Sequence, residues 1–114
     1  MKVNSFEDIL AWQKAMTLTR EIYAQSSHIK DVYFNSQLQR ASVSVMNNIA
    51  EGFERKSNKE LKQFLFIAKG SCGEVRSMIR LGEELGYIDE TAGRDLIEKA
   101  SEVSKMLSGF IKTL

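Results

Sequence analysis

Apolar residues recur every three or four positions along almost the whole chain. That spacing lays one stripe down the side of an α-helix, whereas a half-buried strand needs alternation every second residue. Phe6, Ile9, Trp12, Ala15, Met16, Thr19, Ile22 and Tyr23 predict a helix over 7–26. Ser5 followed by Asp8 is an imperfect capping box, with aspartate where glutamate is usual. Ser26 to Lys30 carries no helical period and predicts a loop. Behind an Asp31 cap, Leu38, Ala41, Val45, Ile49 and Phe53 predict a second helix over 32–54. Gly52 falls within that seam, which implies a close backbone approach or the approach of the helix end.

Arg55-Lys56-Ser57-Asn58 reads as a turn, and Ser57 with Glu60 is a full capping box opening a third helix over 58–85. Leu61, Phe64, Leu65, Ala68, Cys72, Val75, Met78, Ile79, Gly82 and Leu85 mark its inner face, and Gly86 is placed to end it in a left-handed cap. Gly70-Ser71-Cys72-Gly73 puts four small residues in mid-helix. They weaken the isolated helix and leave a waist that another helix, of the same subunit or a neighbour, can approach closely. A fourth helix over 90–112 opens at Asp89 or Thr91. Its core positions are Ala92, Leu96, Ala100, Val103, Met106 or Leu107, Phe110 and Leu114, widened by Ile97 and Ile111. Val32-Tyr33-Phe34 and Phe64 to Ile67 are strand-like only locally, inside longer helical periods. Short loops make consecutive helices antiparallel neighbours, so the expected fold is all-α, an antiparallel up-down four-helix bundle in one domain over 1–114.

Composition agrees with that picture. The 114 residues include no proline and seven glycines, with 43% apolar and 27% charged residues, a globular balance. The single cysteine excludes an internal disulfide and a cysteine-rich zinc site, and reads as a small buried hydrophobe. With no leader and no long apolar run, the chain is expected to be cytoplasmic, with no membrane partner.

The net charge of +1 gives no bulk argument for nucleic-acid binding, but its distribution is uneven. Residues 55–80 carry Arg55, Lys56, Lys59, Lys62, Lys69, Arg76 and Arg80 against Glu60 and Glu74, a local balance of +5. Residues 81–102 carry seven acidic groups against Arg94 and Lys99, a balance of −5. The seven cations are the candidate contacts for RNA or DNA, through phosphates and without reading base identity. The competing reading is solubilising charge on a helix exterior.

The second helix also carries a polar seam. Gln37, Arg40, Ser44, Asn47, Asn48, Glu51 and Arg55 lie at spacings of three and four. Arg40, Ser44, Asn47, Asn48 and Glu51, with Glu74 from the third helix, form either a structural polar network or interface, a ligand cluster, or a plain solvated face. Glu74 and Arg76 are the candidate partners across the helices. Catalytic, metal and cofactor sites are not expected. The helical di-metal pattern needs repeated Glu-x-x-His elements, and the only histidine is His28 in a loop. Gly70 and Gly73 lie in mid-helix without the strand and turn of a phosphate loop, and read as packing glycines. Trp12 fits core or groove packing, whereas Met46 and Phe66 lie off the inward seams and suggest self-association.

Several stretches together resemble the small bacterial four-helix bundle proteins of 23S ribosomal RNA intervening sequences. They are Phe6-Glu7-Asp8-Ile9 through Trp12-Gln13-Lys14-Ala15, Gln37-Leu38-Gln39-Arg40-Ala41, Asn47-Asn48-Ile49-Ala50-Glu51-Gly52 with Arg55, Ala68-Lys69-Gly70-Ser71 with Glu74, and Leu85-Gly86-Tyr87-Ile88. The resemblance covers nearly the whole chain. It implies a left-handed bundle assembled as a ring-like homopentamer. It also implies kinship with accessory proteins of diversity-generating retroelements, which bind nucleic acid and associate with a reverse transcriptase. Gln39 stands where the family usually has a basic residue, which removes one positive charge beside Arg40. The function expected from all this is a non-enzymatic homo-oligomeric scaffold that binds RNA or DNA non-specifically. The alternative is an assembly module for a protein partner such as a reverse transcriptase, without direct nucleic-acid contact.

Overall fold

The computed structural model describes residues 3–114, which form four helices and, among the described residues, no strand. They are α1 (Leu10–Ser26), α2 (Val32–Phe53), α3 (Asn58–Glu84) and α4 (Glu90–Lys112). Each helix packs on its neighbours in chain order and α4 closes back on α1, while the diagonal pairs do not approach. This is the up-down bundle that short loops and four amphipathic stripes require.

α1 starts later than its apolar period suggests. The Asp8 carboxylate accepts from the backbone N–H groups of Asn4 and Ser5 at 3.3 Å, but the box caps a short 3-10 turn over Phe6–Asp8. Ile9 then turns the backbone, with ψ 119°, and drops its side chain into the core before α1 begins. The inward row is Ala11, Ala15, Leu18 and Ile22, so Tyr23 ends up exposed. Thr19 and Ser26 are buried with that row because each hydroxyl donates one turn back, to the Ala15 and Ile22 carbonyls at 2.8 and 2.7 Å. A hydroxyl satisfied by its own helix costs little to bury.

On α2, the Asp31 carboxylate accepts from the Phe34 N–H at 3.0 Å, and Phe34 joins Leu38, Ala41, Val45 and Ile49 in the core. Gly52 marks a close approach of α3, since a Cβ there would lie 2.8 Å from Phe64 Cβ and 3.0 Å from Leu61 Cδ1. α3 opens on Ser57, whose Oγ accepts from the Glu60 N–H at 3.2 Å while the hydroxyl donates to the Glu60 carboxylate. It buries Leu65, Ala68, Cys72, Val75 and Ile79, and the burial of Leu65, Val75 and Ile79 is worth roughly 1.5–3 kcal/mol each. Gly86, at φ +75°, reverses the chain, and the Tyr87 N–H returns to the Gly82 carbonyl at 2.8 Å. The helix stops one residue before Leu85, which is left exposed instead of joining the core.

Asp89, not Thr91, caps α4, accepting from the Ala92 N–H at 2.8 Å. Leu107 is the buried member of the Met106/Leu107 pair, and Ile111 goes deeper than Phe110. Polar ties also hold the bundle outside its core, among them the Lys14–Glu102 pair between α1 and α4 at 3.8 Å. Lys99 links Asp95 of its own helix to Glu21 of α1. At one end the Tyr87 hydroxyl donates to Asp31 Oδ2 at 2.9 Å, its ring edge-on to Phe34, so the two loops there are joined.

Candidate functional site

The polar seam of α2 divides into an inner and an outer part. Ser44 and Asn48 are half-buried against α3, where Ser44 Oγ lies 2.8 Å from Ser71 Oγ and the Asn48 amide donates to Ser44 Oγ and to its carbonyl at 3.0 and 2.8 Å. Each such bond contributes about 1 kcal/mol net. Arg40, Asn47, Glu51 and Arg55 face solvent. Glu51 meets the Arg55 guanidinium at 3.4 Å, and that guanidinium lies 4.8 Å above the Phe64 ring. Glu74 and Arg76 do not join the network; both are exposed. Ser71 is the partner instead. The sequence shows it only as one small residue among four, although it lies on the α2-facing side of α3 beside Ala68 and Val75.

The seven cations fall into two groups. Arg55, Lys56 and Lys59 crowd the exposed α2–α3 turn. Lys62, Lys69, Arg76 and Arg80, spaced by seven, seven and four residues, share one ridge of α3. That ridge runs beside α4, because Arg80 lines an open cleft of about 680 Å³ with Arg94 and Ile97. Arg80 pairs with Glu83 at 3.1 Å. Among the described residues Lys62, Lys69 and Arg76 make no ion pair. Lys69 and Arg76 also lie close enough to Cys72 to pull its pKa down, but burial dominates and pushes the thiol up to about 11. Cys72 is therefore a packing residue and not a thiolate nucleophile at neutral pH.

Beyond the basic ridge, the outermost face of α3 carries large apolar side chains among exposed polar ones. Phe66, Ile67, Leu81 and Leu85 are exposed, from 45% for Leu81 to 55% for Phe66. Between them lie Gly70, where a Cβ would meet nothing within 4 Å, and Gly73, where it would meet only the Arg76 guanidinium at 3.8 Å. Ser71 and Cys72 of the small-residue waist are buried in the bundle, whereas its two glycines face away from it and pack against no helix of the subunit. Phe66 stands clear as the sequence suggested, whereas Met46 packs half-buried against the core.

A second exposed apolar patch lies across the molecule. Tyr23, Val32 and Tyr33 are exposed, and an open groove of about 520 Å³ between α1 and α2 is lined by Tyr23, Val32, Val43 and Arg40 among others. Sequence reasoning missed it, because Tyr23 reads as a core position and Val32-Tyr33 as an ordinary apolar turn. Trp12 is half-buried, edge-on to Phe6 at 5.2 Å between ring centres. His28 is exposed in its loop. Among the described residues no group of three His, Cys, Asp or Glu side chains converges as metal ligands do, and no helix is long and apolar enough to cross a membrane.

Residues 7–109 match the family described as 23S rRNA-intervening sequence protein. The fold is similar to the crystal structure of a protein of unknown function from the S23 ribosomal protein family of Bacteroides thetaiotaomicron VPI-5482. The two chains are 20% identical and superpose with a TM-score of 0.85 over 90% of this chain and 99% of that one. None of the curated proteins matches the chain.

Proposed function

Since the chain belongs to the 23S rRNA-intervening sequence protein family, we propose that it is a non-enzymatic homo-oligomeric scaffold that holds RNA or DNA on a basic surface without reading sequence. The observation that carries this reading is the outer face of α3. Four large apolar side chains stand in water on either side of a glycine waist that the subunit itself leaves open. Apolar surface of that kind marks an association site, and small residues let a second helix come close.

The nucleic-acid part rests on the neighbouring ridge. Lys62, Lys69 and Arg76 repeat every seven residues, about 10.5 Å along a helix, and are free of carboxylate partners among the described residues. Lysine and arginine arrayed along a helix bind phosphates as point charges and forks, which supports affinity without base specificity. One subunit offers a short track. A ring of copies, five in the arrangement the family resemblance implies, would repeat it.

Mass measurement of the purified chain, combined with salt-titrated binding to two unrelated RNAs, tests both parts. An oligomeric mass is expected, with affinity for both RNAs falling steeply as salt rises. The Lys59→Glu/Lys62→Glu variant should weaken both RNAs alike and leave the mass unchanged. A monomer at tens of micromolar would sink the scaffold and leave the α3 face to a protein of another sequence. No binding at low salt would sink the nucleic-acid role.

A further inference from the structure

The outer face of α3 has an anion at its centre. Glu74 lies seven residues from Ile67 and seven from Leu81, midway along the exposed row, and it is itself exposed. Two copies meeting face to face through α3 around a two-fold axis at the waist would bring two Glu74 carboxylates together. Like charges pressed into an apolar contact are repelled and desolvated at once. The face is therefore a poor partner for itself, and it calls for an apolar surface with a cation in it.

The groove between α1 and α2 offers apolar contacts together with a cation. Arg40 is the one charged residue lining it; Tyr23, Val32 and Val43 supply its apolar part, and Asn35, Ser36 and Gln39 are polar and uncharged. Among the described residues neither Arg40 nor Glu74 makes an ion pair or a side-chain hydrogen bond. The α3 row is longer than the groove by about one helical turn. At about 1.5 Å per residue, Val32 to Val43 spans roughly 16 Å and Ile67 to Leu81 roughly 21 Å. Because α1 and α3 stand on opposite corners of the bundle, one copy can offer its α3 face and its groove to two different neighbours.

Resting on the self-assembly reading above, we propose that copies join head to tail: the outer face of α3 seats in the α1–α2 groove of the next copy, with Glu74 paired to Arg40 of the partner subunit. Such a contact is heterologous, so it repeats around a ring or along a filament and does not stop at two. Within it, Ile67 and Leu81 meet the apolar part of the groove at Tyr23, Val32 and Val43, Gly70 allows the backbones to approach, and the ion pair fixes the register.

The experiment is a charge swap on the full-length chain, read by light scattering or native mass across a dilution series. Circular dichroism confirms helix content, and both positions are exposed, so the bundle should form in every variant. Arg40→Glu and Glu74→Arg should each shift dissociation to concentrations at least about tenfold higher. The double variant should return to within about threefold of the original. If the original chain assembles but the single reversals leave its dissociation unchanged, or the double is no better than the singles, the pairing is wrong while assembly stands. If the original chain is monomeric throughout, the assembly reading fails and the pairing with it.

Discussion

On the side of α3 that meets α2, a serine is withdrawn from water. On the opposite side of the same helix, Phe66, Ile67, Leu81 and Leu85 stand in it. The two regions invert the usual rule, for reasons that differ. Ser71 can go inside because Ser44 and Asn48 supply its hydrogen-bonding environment, so little desolvation is left uncompensated. The four apolar groups stay outside because four stripes already close the core, and a helix in a square bundle has only two neighbours to cover it. Burial in this chain follows the availability of a partner more closely than it follows polarity.

The sharpest way to break that comparison is to shorten one apolar residue on each side. Leu65→Ala should lower the stability of the dissociated chain by about 2–5 kcal/mol, through lost transfer energy and the cavity left behind. Ile67→Ala, two residues along, should change it by less than about 0.5 kcal/mol and act on assembly instead. Urea unfolding at high dilution separates the two; equal losses would mean that the outer face belongs to the subunit's own core.

Glycines give a contrast of sign. Gly52→Ala places a Cβ against Phe64 Cβ at 2.8 Å, where packed backbone has to give way, and should cost about 1–3 kcal/mol. Gly70→Ala meets nothing within 4 Å and should stabilise the dissociated chain by up to about 1 kcal/mol through helix propensity. The same Gly70 variant should assemble less tightly. A stabilised chain with unaltered assembly would show that the waist is not used.

The smallest expected effect concerns the polar tie between the loops. The Phe34 N–H, and after it the Tyr87 hydroxyl, hold the Asp31 carboxyl below its ordinary range. A depressed carboxylate pKa means that the folded chain binds fewer protons than the unfolded one. Its stabilisation is present above about pH 4 and is lost as pH falls through the lower folded value. Asp31→Asn, which keeps a competent cap, should be less stable than the original near neutrality and converge with it in acid. A difference that stays constant with pH would assign the effect to packing around Phe34 and Tyr87 instead of to the charge.

Much of the fold is legible in the pattern. The three- and four-residue period, the Asp31, Ser57 and Asp89 caps, the close approach at Gly52 and the left-handed Gly86 are all local features, and each appears where its chemistry places it. The errors share a cause. Tyr23 and Leu85 satisfy a helical period yet lie at the edge of their stripes. Leu18 and Thr19 show which side of α1 is inward only once α2 is beside them, with the Thr19 hydroxyl 3.2 Å from the Ser42 carbonyl. A period sets the width of a stripe but not its centre, because the centre is defined by neighbours.

The candidate site was less visible for the same reason. Residue types and spacing are enough to place seven cations on one stretch of chain and a row of polar groups on α2, because helical geometry is local. Which polar groups find each other, and which apolar ones find no one, depends on distances between helices. Ser44 meets Ser71 and not Glu74; Gly70 turns outward; Arg40 sits beside Tyr23, Val32 and Val43 in a groove across the molecule. Helices, caps and charge follow from bonds and contacts within a few residues, so they can be read along the chain. The surfaces left for partners are what remains after four helices have covered one another, and that remainder exists only in three dimensions.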